Sequence, residues 1–326
     1  MSGSSAGAGD VGAPPGLQPL AGGWSGETFT SDLTALGGER TVVRIYGGRS
    51  VARGPLAPEI DAAVLELVRG LLPVPRVLEV RRGDPAAGVP GLLVTEHLPG
   101  VCLELLLEDL TTERQRVVGE RLGEVAARLG HMVQAAPGLL EDRTLVPVPF
   151  PGHLADLESW LAAHEERLAV ALGAPATTRL AGVVARAQDL LDDVRRTCLV
   201  HGDLGPANVL VDPDTLEVTG VLDWEFAHAG SPYADLGHLL RHDPAGPDLA
   251  GSDEGVLAAY ADLMPGGGPS TEELLELGAA ADLCSLVELA ARDSAEAPVL
   301  AARRSLLAAG AAGPACTTGD ATAPGA

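Results

Sequence analysis

The chain has 326 residues, enough for one large domain or two lobes with a substantial core. Its formal charge of −23 argues against a nucleic-acid partner, whose phosphates need basic surface, and either draws a cationic partner or only aids solubility. Aromatics are 3% of the residues, no apolar run is long enough to span a membrane, and all 22 basic residues are arginine, with no lysine.

Residues 1–16 are rich in Ser, Gly, Ala and Pro. They lack the basic and apolar regions of a secretory signal and read as a flexible tail. TVVRIY at 41–46 reads as a strand, with β-branched and aromatic residues. A helix is expected over 58–70, with Ile60, Val64, Leu67 and Val68 on one face and Pro73 and Pro75 stopping it. Two further strands are expected at 77–80 and 91–97, and Leu98-Pro99-Gly100 then breaks the pattern.

Beyond the break the chain turns helical. A helix is predicted over 112–132, with Thr111 or Thr112 as its cap and Val117, Val118, Leu122, Val125, Leu129 and Met132 in its apolar stripe. Helices over about 153–172 and 178–196 follow, then a β-rich segment over 198–226 and further helices over about 234–307. The tail from 308 to 326 is Ala/Gly/Thr/Pro-rich and reads as disordered. The expected order is a β-rich lobe at 17–98 and a mostly helical lobe at 99–307, an α+β arrangement with ligands bound in the cleft between lobes. Cys102, Cys198, Cys284 and Cys316 have no metal-ligand spacing and read as reduced thiols of a cytoplasmic protein.

The informative stretch is 199–241, LVHGDLGPANVLVDPDTLEVTGVLDWEFAHAGSPYADLGHLLR. His201-Gly202-Asp203 follows a short apolar strand. Asn208 opens a second strand, Asp212-Pro213-Asp214-Thr215 makes a turn, and Asp223 ends the returning strand. This hairpin gathers Asp203, Asn208 and Asp223 at one edge. One Asp able to accept a hydroxyl proton, with an Asn and a second Asp able to ligate Mg²⁺, suits phosphoryl transfer. Asp235, in SPYADLGHLL, reads as a helix-opening carboxylate, with Ser231 as a cap.

These residues resemble the aminoglycoside phosphotransferase and choline kinase-like family, distant relatives of protein kinases. HGDLGPAN is similar to the family's catalytic loop and VLDWE to its metal-binding segment. The resemblance implies a protein-kinase-like fold, with a five-stranded antiparallel sheet and one main helix ahead of a helical lobe. It implies Asp203 as catalytic base, His201 as a brace for the loop, and Asn208 and Asp223 as Mg²⁺ ligands. Gly23, Ser25 and Gly26, in GGWSGET, look like the nucleotide-covering loop. Arg44 stands where the family usually has a phosphate-pairing lysine, and Glu59 is placed to orient it, with Asp61 and Glu66 as weaker candidates. Glu96 and His97 fall where the family contacts the nucleobase through backbone groups. Gly202 stands where many protein kinases carry an arginine that pairs with a phosphorylated loop, which implies activity without such a switch.

The implied co-substrate is Mg-ATP or GTP, and the acceptor a small molecule. Residues 242–291 hold ten acidic groups and no arginine. Such a wall suits a polycationic aminoglycoside or a quaternary amine, or else forms solvated helix faces. The thin aromatic supply argues against choline, whose ammonium wants a ring cage. The leading expectation is an O-phosphotransferase acting on an aminoglycoside-like hydroxyl, with antibiotic resistance as the consequence. A metabolic kinase for an amino alcohol, sugar or macrolide is the second reading, and a catalytically silent nucleotide-binding module the third.

Overall fold

The β-branched residues Thr41, Val42, Val43 and Ile45 make Arg40–Tyr46 a strand, β3, which pairs antiparallel with β2 (Glu27–Asp32) on one side and β5 (Gly91–Glu96) on the other. With β1 (Gln18–Pro19) and β4 (Val77–Arg81) these form a five-stranded antiparallel sheet of order β1–β2–β3–β5–β4. The structure is a computed structural model, and it describes residues 18–19, 27–32, 38–47, 51–107, 109–245, 249–264 and 268–311.

The helix expected after this strand is α1 (Ala57–Val68), which starts with Pro58 in its first turn, where the missing N–H costs nothing. Ile60, Val64 and Val68 are each 0% exposed, and burying each contributes roughly 1.5–3 kcal/mol. Leu65 joins this face, whereas Leu67, expected there, is exposed. The helix ends where Gly70 takes φ 97° and Leu72 N–H donates to the Val68 carbonyl.

The chain divides into two compact units. The first comprises Met1–Leu106, Leu140–Pro147 and Pro206–Ala227; the second comprises Leu107–Leu139, Val148–Gly205 and His228–Ala326. Within the first unit, β6 (Val101–Cys102), β10 (Val209–Val211) and β11 (Val218–Val221) form a small antiparallel sheet of order β11–β10–β6. The returning strand starts only at Val218 because Leu216 takes φ 61° to close the turn. Asp212 holds that turn by accepting from the Asp214 and Thr215 N–H groups.

The second unit is built on helices. After the short α2 (Glu104–Leu107), α3 (Thr112–Gly130) is capped by the Thr111 side chain, which accepts from Arg114 N–H. The expected helix at 153–172 starts at Leu157 as α4 (Leu157–Leu172), because Asp156 caps it through Ser159 N–H at 2.6 Å. α5 (Ala174–Asp192) begins four residues earlier than expected and ends at Asp192. Four short strands accompany these helices: β7 (Gly138–Leu140) and β8 (Pro147–Val148) ahead of α4, and β9 (Cys198–Val200) and β12 (His228–Gly230) after α5. β12 pairs antiparallel with β9 and β7, Ala229 facing Leu199 and Gly138.

The remaining helices are α6 (Ala234–Leu239), α7 (Ala250–Leu263), α8 (Thr271–Ala290) and α9 (Ala297–Ala311). Leu161, Leu168, Leu180, Val184, Leu283 and Leu306 form the core of α4, α5, α8 and α9. A full capping box between Ser270 and Glu273 starts α8. α6 lies hard against α8: a Cβ on Gly237 would stand 2.0 Å from the Gly278 carbonyl oxygen, so only glycine permits this approach. Among the described residues no helix is long and apolar enough to cross a membrane.

Candidate active site

In the first unit, Asn208 precedes β10 and Asp223 follows β11. Val209 faces Val221 in this antiparallel pair, so Asn208 and Asp223 lie at the same end of the hairpin. The Leu222 N–H donates to the Asn208 carbonyl at 2.9 Å and fixes that end. Asn208 itself sits in a 3₁₀ turn, Pro206–Asn208, just ahead of the strand. Asp223 has left-handed backbone, φ 61° and ψ 64°, a conformation that costs a non-glycine residue on the order of 1 kcal/mol.

Arg44 meets this end of the hairpin. Its Nη1 donates to Asp223 Oδ1 at 2.6 Å and its Nη2 to Glu225 Oε2 at 2.5 Å. The guanidinium lies 5.4 Å from the Tyr46 ring centroid, within cation–π range. Burial works against the Arg44 charge, but Asp223, with Tyr46, Glu225 and Asp61, outweighs it and raises its pKa above the ordinary arginine value. Tyr46 O–H donates to Asp61 Oδ2 at 2.6 Å, and Arg53 Nη1 donates to Asp61 Oδ1 at 2.7 Å. Burial and the Asp61 carboxylate push the Tyr46 phenol up, so it stays protonated as a donor. Arg53 also reaches the Ala227 carbonyl with its Nη2.

In the second unit, Asp203 sits on the loop that leaves β9. His201 is fully buried, and its Nδ1 accepts from Asp203 N–H at 3.2 Å. Gly202 takes φ 82°, a left-handed turn that glycine adopts without strain. Asp235, in the first turn of α6, accepts from His201 N–H at 2.8 Å and from Gly202 N–H at 3.0 Å. Burial pushes the Asp235 carboxyl up to about 6, against the pull of those two hydrogen bonds. His238, one turn along α6, brings Nε2 to 3.3 Å from Asp203 Oδ1. The Asp203 side chain remains 39% exposed, open to a reactant.

A match to the phosphotransferase enzyme family spans residues 16–274. The chain belongs to that family. It is 32% identical over 239 residues to streptomycin 3''-kinase of Streptomyces griseus, covering 65% of this chain and 80% of that one. Among solved structures, a thermostable variant of aminoglycoside phosphotransferase APH(4)-Ia, in ternary complex with AMP-PNP and hygromycin B, superposes with TM-score 0.59. That match has 18% identity and covers 93% of this chain and 96% of that one. A microcompartment-associated aminopropanol kinase gives TM-score 0.59 at 22% identity, over 91% and 90% of the two chains. The fold of this phosphotransferase is therefore the protein-kinase-like α+β fold, and its family transfers phosphate to hydroxyl groups of small molecules.

Several residues singled out from the sequence of the phosphotransferase take other places. Glu59, expected to orient Arg44, faces outward and makes a two-pronged pair with Arg82 at 2.9 Å. Its position on α1 turns it away from the buried stripe, while Asp61 points inward with 3% exposure. Arg44 finds its carboxylates at Asp223 and Glu225 instead. Glu96 ends β5 and accepts from Arg76 N–H at 2.9 Å, and its own N–H and that of His97 bond to the Arg76 and Arg40 carbonyls. Gly23, Ser25 and Gly26 lie outside the described residues, as do residues 1–16 and 312–326 with Cys316, whereas 308–311, expected in the disordered tail, continue α9 as helix.

Three residues that sequence reasoning gave no role enter the arrangement: Glu225, Arg53 and His238. Two of them carried a signal. Glu225 stands two residues past Asp223 across a single turn, and His238 stands three past Asp235, on the same helical face. Five of the nine described acidic groups in this stretch have partners within the fold. Asp243 pairs with Arg304, Asp253 with His242, Asp282 with Arg241 and Glu288 with Arg292, while Glu273 caps α8. Glu254, Asp262, Glu272 and Glu276 are exposed. Asn208 and Asp223 offer an amide oxygen and a carboxylate, hard donors that could hold a divalent cation. Among the described residues no group of three or more His, Cys, Asp or Glu is gathered for a metal. A cation here would need oxygen donors from phosphate and water, the usual habit of Mg²⁺.

Proposed function

We propose that this phosphotransferase moves the γ-phosphoryl group of ATP or GTP onto a hydroxyl of a small, cationic, aminoglycoside-like molecule. The observation that carries the reading is the pairing of Asn208 and Asp223 at one hairpin end, five and twenty residues along the chain from Asp203. Membership of the family supports it. In the proposed reaction the acceptor oxygen bonds to the γ-phosphorus and the bond to the β-phosphate oxygen breaks. Asp203 takes the hydroxyl proton as general base. Asn208 and Asp223 would hold Mg²⁺, which when bound neutralises phosphate charge. Arg44 supplies a fixed cation for the phosphates in place of lysine, and Glu225 sets the direction of its guanidinium.

A cationic acceptor fits the exposed carboxylates Glu254, Asp262, Glu272 and Glu276 and the strongly negative chain. The reaction belongs in the cytoplasm, where nucleoside triphosphate is available and the free thiols of Cys102, Cys198 and Cys284 stay reduced. An amino alcohol kinase is the second reading, favoured by the likeness to an aminopropanol kinase across nine-tenths of the chain. The test is nucleotide turnover by purified protein with Mg²⁺ and ATP or GTP against aminoglycosides, amino alcohols, sugars and macrolides. ADP or GDP release stimulated by an aminoglycoside, with a matching gain in resistance on expression, is the expected result. Stimulation by amino alcohols alone would select the second reading.

A further inference from the structure

We propose that His238 is a positioning residue for Asp203, holding its carboxylate in one orientation through a hydrogen bond donated by the imidazole Nε2–H. The proposal rests on the reading of Asp203 as the proton acceptor, and it assigns a role to a side chain outside the HGD and DWE segments.

The geometry begins with α6. Gly237 lets this short helix approach α8 closely, and His238 follows directly. Its side chain is 13% exposed, with Nε2 3.3 Å from Asp203 Oδ1 and Nδ1 3.9 Å from Asp282 Oδ1. Arg241 Nη2 stands 3.2 Å from Nδ1 and 2.8 Å from Nε2. In the ring plane a nitrogen that near both would overlap Cε1, so the guanidinium lies over the ring face. Nε2 then stays free in the ring plane to donate to Asp203 Oδ1, while Nδ1 lies beyond hydrogen-bond range of Asp282. Arg241 is itself anchored, with Nη1 3.3 Å from Asp282 Oδ1, so the ring is held by partners on two elements.

The charged and titratable groups around the ring are Asp203 and His201 on the loop after β9, Asp235 on α6, Arg241 just past α6 and Asp282 on α8. Burial, then Arg241 and His201, hold the His238 pKa well below the ordinary histidine value. The ring therefore stays neutral at physiological pH. A neutral donor suits a general base: it fixes the carboxylate without placing a full positive charge beside it, which would weaken its pull on a proton. Orientation matters because a small misplacement of a reacting group costs large factors in rate.

The experiment is steady-state kinetics on His238→Phe, which keeps a flat ring under Arg241 but has no donor, and on His238→Gln, which restores a neutral N–H. His238→Phe is expected to lower kcat about ten- to a hundredfold with nucleotide KM nearly unchanged, and His238→Gln to recover most of the loss. In an Asp203→Ala background His238→Phe is expected to add no further loss, because the carboxylate it orients is gone. A folded His238→Phe variant with kcat within about twofold of the parent would overturn the inference, as would a full second loss on top of Asp203→Ala. Were His238→Phe to fail to fold, His238→Gln decides the matter alone against His238→Ala by the same split of kcat from KM. Asp203→Ala with normal turnover would instead remove the base reading on which the inference stands.

Discussion

Buried charge is handled differently by the residues around Arg44 and by those beneath Asp203. Around Arg44 every charge is met by an opposite one: the guanidinium spans Asp223 and Glu225, and Arg53 answers Asp61. Beneath Asp203, burial moves groups toward neutrality: the Asp235 carboxyl rises to about 6, that of Asp282 to about 7, and His238 is held uncharged. The first arrangement keeps fixed charge, which is what polyanionic phosphates need. The second leaves the Arg241 guanidinium, paired with Asp282 at 3.3 Å, as a fixed cation behind a neutral ring, so that the ring and not the cation meets the carboxylate proposed to take a proton.

The largest expected effect breaks the second arrangement. Asp203→Ala should lower kcat by about 10²–10⁴-fold while nucleotide still binds, measured by turnover alongside equilibrium nucleotide titration. Asp223→Asn should instead strike nucleotide binding, raising the Kd for Mg-nucleotide by about tenfold or more, with calorimetry as the readout. Unchanged affinity in that variant would remove Asp223 from the metal and phosphate site.

Arg44→Ala would leave Asp223 and Glu225 facing each other without a cation. Because all three side chains are only partly shielded, the expected cost is about 2 kcal/mol in urea unfolding. Arg44→Lys should recover part of this, since an ammonium meets one carboxylate well but cannot fork to both.

The smallest effect sharpens the contrast through pH. Burial raises the Asp282 carboxyl to about 7, against Arg241, whereas an unfolded Asp titrates near 3.9. Between those values the folded chain binds more protons than the unfolded one. The stability contributed by the protonated group is full below about pH 4 and is lost as pH rises through about 7. Asp282→Asn removes that titration. Its melting temperature should fall less than the parent's between about pH 5 and pH 8, and an equal fall in both proteins would contradict this assignment.

Three strands of the first sheet, the main helix and the hairpin were legible because their signals are local, whereas the five-stranded count came only with the family resemblance. TVVRIY carries strand formers, and Asp203, Asn208 and Asp223 fall within one short segment whose turn residues fix its path. Glu59 is near Arg44 along the chain, but helical phase puts it on the outer face of α1, where it pairs with Arg82. Ile60, Val64, Leu65 and Val68 already point the buried face toward Asp61 and away from Glu59. His238 was hidden because its meaning depends on Gly237 meeting Gly278, a contact between residues forty-one positions apart. The acidic stretch read either as a wall for a cation or as solvated helix faces, but Arg304 and Arg241 lie outside it, and only folding shows which carboxylates are spent on them.

Phosphoryl transfer to a small-molecule hydroxyl is tested most directly by the mass of each acceptor after incubation with the purified protein, Mg²⁺ and ATP or GTP. One added phosphoryl group on an aminoglycoside-like acceptor is expected, formed by the parent and not by Asp203→Ala. Nucleotide bound tightly with no acceptor modified, or equal product from both proteins, would contradict it.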